Sequence, residues 1–78
     1  MSLSLAEALS SNDPWIVEKA QIASEIEIAL KYNTIGKEEA KEILENIIST
    51  DNLKKSSSND KLKAALVFGV TQIISLCA

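Results

Sequence analysis

Histidine and arginine are both missing from this 78-residue chain, and cysteine, proline, tryptophan, tyrosine and phenylalanine occur once each. The absence of histidine removes the commonest metal ligand and the commonest acid–base catalyst. A single cysteine, Cys77, cannot form an intrachain disulfide and has no imidazole to activate it, so it reads as a small apolar packing residue. With only Gly36 and Gly69 there is no glycine-rich loop to cradle a phosphate. No stretch alternates at period two for long enough to argue a strand. No catalytic, cofactor-binding or metal-ligating residue is assigned, and no cofactor is expected.

Acidic residues are plentiful, but they lack the company that chemistry needs. Glu38, Glu42 and Glu45 share one helix face, whereas a di-metal site in a bundle pairs inward glutamates with Glu-x-x-His. The stretch 49–60 lacks the alternating aspartates and glycine of a calcium loop. These carboxylates read as a solvated face. The net charge of −3 divides unevenly: residues 1–50 hold nine acids against four lysines, and residues 51–78 hold two acids against four lysines. The four later lysines, Lys54, Lys55, Lys61 and Lys63, do not make a nucleic-acid reader without an amphipathic helix presenting base-contacting side chains. Nucleic acid is therefore an unlikely partner.

What is present is helical periodicity. The expectation is an all-α fold, a small bundle of three main helices over about 14–31, 37–49 and 60–77, plus a short N-terminal helix over about 4–10. The whole of 1–78 reads as one helical domain, with a flexible polar loop at about 50–59 in which Leu53 is a tether. Ser4 and Glu7 fit a capping box that opens the first helix, where Leu5 and Leu9 lie one turn apart. Asp13-Pro14 restarts the chain, aspartate accepting from the next turn's amides and proline losing no bond at the first helical position. The triplet Asp13-Pro14-Trp15 also resembles the short motif that binds clathrin-adaptor appendages, although capping and packing already occupy all three residues.

The expected core is Trp15, Ile22, Ile26 and Leu30 from the first long helix, Ile43, Leu44 and Ile47 from the second, and Leu62, Leu66 and Ile73 from the last. Lys19 is expected to lay its methylenes over Trp15 and to point its ammonium outward. Gly36 caps the 37–49 helix, and Glu38 and Glu39 in its first turn suit the helix dipole.

The segment Ala64 to Ala78 carries no charge at all. Fifteen helical residues span about 22 Å, short of the roughly 30 Å of bilayer hydrocarbon, so a membrane span is unlikely. The apolar arc of this helix, from Leu62 through Leu66, Val70 and Ile73 to Leu76 and Cys77, covers about 200°, wide enough to pack against two neighbours, which makes it the expected centre of the domain. Gly69 on the buried side permits close approach of another helix. Phe68 projects instead into the polar strip between Thr71, Gln72 and Ser75. Either the N-terminal helix covers it with Leu5 and Leu9, or it contacts another chain.

A chain this short buries only about 60–65% of its unfolded surface, and small domains lean on a disulfide, a metal or a partner. The first two being absent, a partner or self-association is the expected support. The sequence reading is therefore a non-enzymatic helical protein-interaction or assembly module: a homo-oligomer, adaptor, inhibitor or phage-type accessory component. Phe68, Val17 and Ile28 are its expected protein contacts. Association of the last helix with a membrane surface is the second reading, and a small nucleic-acid regulator the third. No signal-peptide layout opens the chain, so the expected location is the cytoplasm or the interior of a host cell.

Overall fold

Local chemistry at the breaks sets where each helix starts and stops. The computed structural model describes residues 3–54 and 60–77. Five helices run through them: α1 (Leu3–Leu9), α2 (Pro14–Lys31), α3 (Lys37–Ile47), α4 (Thr50–Leu53) and α5 (Asp60–Ser75). The described residues contain no strand. The fold is an all-α small bundle.

At the start of α2, Asp13 is extended, and its Oδ1 accepts from the Trp15 amide at 2.9 Å, with Pro14 filling the first helical position. The end of α2 is equally explicit. Asn33 takes φ 57°, the left-handed region that asparagine tolerates better than most residues. Thr34 then donates to the Ala29 carbonyl at 2.8 Å and Asn33 to that of Leu30 at 3.2 Å, the pair of bonds of a Schellman cap. Gly36, extended at φ −72° and ψ 147°, opens α3, and its carbonyl accepts from Ala40.

Three boundaries differ from the sequence reading. α1 begins at Leu3, so Ser4 falls inside the helix rather than before it. α3 stops at Ile47, and Ser49 starts a further turn of helix, α4, by accepting at its carbonyl from Leu53 and at its Oγ from Asn52. Half of the expected 50–59 loop is thus ordered by a serine cap and by Leu53, which packs on the core as the expected tether; residues 55–59 lie outside the described residues. α5 ends at Ser75, and Leu76 and Cys77 donate to carbonyls three residues back in a tightened last turn.

One cluster of buried side chains joins α1, α2, α3 and α5: Leu5 and Ala8, then Ile16, Ala20 and Ala23, then Leu44 and Ile47, then Leu66, Val70 and Ile73. α5 contacts α1, α2 and α3, which makes it the hub of the bundle. A radius of gyration of 11.6 Å matches the roughly 11.5 Å of a compact chain of this length.

The core is narrower than the sequence reading. On α2 the fully covered line is Ile16, Ala20 and Ala23, whose small side chains bring the helix close. Trp15, Ile22, Ile26 and Leu30, and Ile43 on α3, are half-buried and pack against its sides. Lys19 does lie against Trp15, but its ammonium faces the ring, 5.7 Å from the centroid in a cation–π contact, rather than pointing outward. Leu62 is a correction: it is half-buried and lines a shallow groove with Ala6, Glu7, Ser10, Ser11 and Lys61, away from the core cluster. It lies in the first turn of α5, where the facing surface is the end of α1 rather than the centre of the bundle.

α1 and α5 approach closely at Gly69. A Cβ there would stand 3.1 Å from the Leu5 amide nitrogen, 3.2 Å from its Cβ and 3.3 Å from its Cα. α1 therefore rests its backbone on α5, and even a methyl at Gly69 requires the α1 backbone to give by a few tenths of an ångström. Replacing Gly69 with Val should cost about 1–3 kcal/mol by overpacking, whereas Ala64→Val, on the exposed side of α5, should cost under about 1 kcal/mol through helix propensity alone. Urea unfolding of both variants checks this, and equal losses would show that α1 has no fixed seat.

Candidate interaction face on the last helix

α5 packs on three neighbours, and its remaining side faces solvent. With Phe68 as origin and 100° per residue, Lys61, Ala64, Ala65, Thr71, Gln72 and Ser75 all lie within about 60°. Ala65 is half-buried and the rest are exposed, Phe68 itself by 57%. Ser75 turns its hydroxyl back to donate to the Gln72 carbonyl at 2.6 Å, which takes one polar group out of the outward surface. Lys61 is the one charge of this strip, at its N-terminal end.

The contrast with α3 defines the feature. The outward side of α3 carries Lys37, Glu38, Glu39, Lys41, Glu42, Glu45 and Asn46, all exposed, opposite a buried line of Ala40, Leu44 and Ile47. That is the usual surface of a solvated helix. α5 presents an aromatic ring among alanine, threonine, glutamine and serine. Charge depletion around an aromatic centre is the composition of an interface core.

Phe68 is not covered by α1, which corrects the first of the two expectations for it. Leu5 is fully buried over Gly69, about 100° around α5 from Phe68, and Leu9 is half-buried against the core. The backbone-to-backbone approach at Gly69 holds α1 on that side and leaves the ring outside.

The other two expected contact residues behave differently from each other. Ile28 is 53% exposed, whereas Val17 is half-buried near the start of α2. They share a face of α2, eleven residues and about 16 Å apart, with Gln21 and Ser24 between them. Ile28 lines a groove of about 480 Å³ with Leu30, Ile35 and Leu76, flanked by Glu27, Lys31, Asn33 and Lys37. Phe68 is not part of its lining. The structure thus gives two separate apolar features, and Val17 belongs to neither.

Sequence reasoning missed two members of the Ile28 groove, Leu76 and Ile35, and one exposed aromatic outside both surfaces, Tyr32. Leu76, placed on the buried arc, is 60% exposed because α5 ends one residue before it. Tyr32, 68% exposed, is the C-cap of α2, and Ile35 follows the Schellman turn. The break at Tyr32-Asn33-Thr34-Ile35-Gly36 was the available signal, since an apolar residue between two caps has no helix of its own to bury it.

No group of three metal-ligating side chains occurs among the described residues. No helix among them is long and apolar enough to cross a membrane. Cys77 is half-buried, its Sγ 3.8 Å from the Ile73 carbonyl. No protein-family model, curated protein or solved structure matches this chain.

Core and surface on α5 should separate cleanly on substitution. Phe68→Ser should change the stability of the monomer by no more than about 0.5 kcal/mol, because the ring is mostly in water already. Leu66→Ala, two residues away and fully buried, should cost about 2–5 kcal/mol. Denaturant titration at low protein concentration makes the comparison, and a Phe68→Ser loss equal to that of Leu66→Ala would return Phe68 to the core.

Proposed function

We propose that this chain is a non-enzymatic helical contact module that works by binding protein through the outward face of α5, in the cytoplasm or the interior of a host cell. The observation that carries the reading is the strip around Phe68, charged only at its end by Lys61, on the helix that also organises the core. An interface built there is rigid: its backbone is held by α1, α2 and α3, so little conformational entropy is lost on binding. A large aromatic side chain on a fixed helix is the kind of residue that dominates binding energy. The groove at Ile28 and Leu76 is a secondary contact, and Val17 contributes less because it is already half covered.

The acidic outer face of α3 supports the same division of labour. It keeps one side of the molecule hydrated and repels phosphate backbones, so association is directed to the α5 side. Small assembly components and adaptors of phage or operon type fit this description as a class.

Phe68→Ser and the pair Val17→Ser/Ile28→Ser separate the surfaces. In pull-down and self-association assays at matched folded concentration, Phe68→Ser should weaken binding at least tenfold, and Val17→Ser/Ile28→Ser by less. Parent-like behaviour of both variants would remove the reading. Sedimentation with anionic vesicles at low salt, lost in Phe68→Ser, would replace it with association at a membrane surface.

A further inference from the structure

We draw no further inference here: the strongest candidate, the apolar groove of Ile28, Leu30, Ile35 and Leu76 between the C-terminal ends of α2 and α5, has both signs of charge on its rim in Glu27, Lys31 and Lys37, and nothing in the structure shows what covers it.

Discussion

The contact of Leu5 with Gly69 is the constraint from which the rest of the arrangement follows. Glycine on α5 lets the backbone of α1 come to within 3.3 Å of where a Cβ would stand, and Leu5 is sealed completely beneath it. That seat fixes the rotation of α5 about its own axis relative to α1. α2 and α3 then close the other apolar directions with Ile16, Ala20 and Ala23 on one helix and Leu44 and Ile47 on the other. Three helices around a fourth leave one side open, and the rotation dictates that the open side is the one carrying Phe68. The exposed aromatic ring is a consequence of a well-satisfied interior.

The margin that holds this arrangement is narrow. An accessible surface of 4932 Å² is about 40% of the roughly 12,300 Å² expected for the unfolded chain, so folding covers only about 60% of it. Four of the eleven buried apolar residues are alanines, which bring helices close but contribute little area each. A chain in this position gains from any partner that binds only the folded form, since binding adds to stability by mass action. The open face of α5 is where such a gain is available, because covering Phe68 removes apolar surface from water without desolvating a charge.

Legibility in the sequence tracked how local the cause was. Asp13-Pro14 needs only its own next turn, and the α2 start appeared where expected with its cap bond formed. The stripe of α3 was plain because every other position on that helix is polar. The role of Gly69 was also readable, since a glycine on a buried arc has few other uses. The side of α5 that α1 takes was not readable: an apolar arc of about 200° offers several seats, and the depth of the glycine notch, a tertiary quantity, selects among them. Leu62 and Leu76 were misplaced for a related reason. A helical wheel assumes neighbours along the full length, and both residues sit at ends of α5, where coverage thins. The alanine ridge of α2 was likewise hidden behind its bulkier flanking residues, which a hydrophobicity pattern ranks first.

Phe68 is the only phenylalanine in the chain, so biosynthetic 4-fluorophenylalanine places a single fluorine reporter on the α5 face without a substitution. The fluorine resonance of the folded monomer, recorded with a soluble paramagnetic agent present, reads directly whether that face is open to water. The account predicts strong paramagnetic broadening of the Phe68 line in the folded protein, close to that of the unfolded chain. A line protected from the agent in the folded monomer would contradict it, placing the ring under a neighbouring helix.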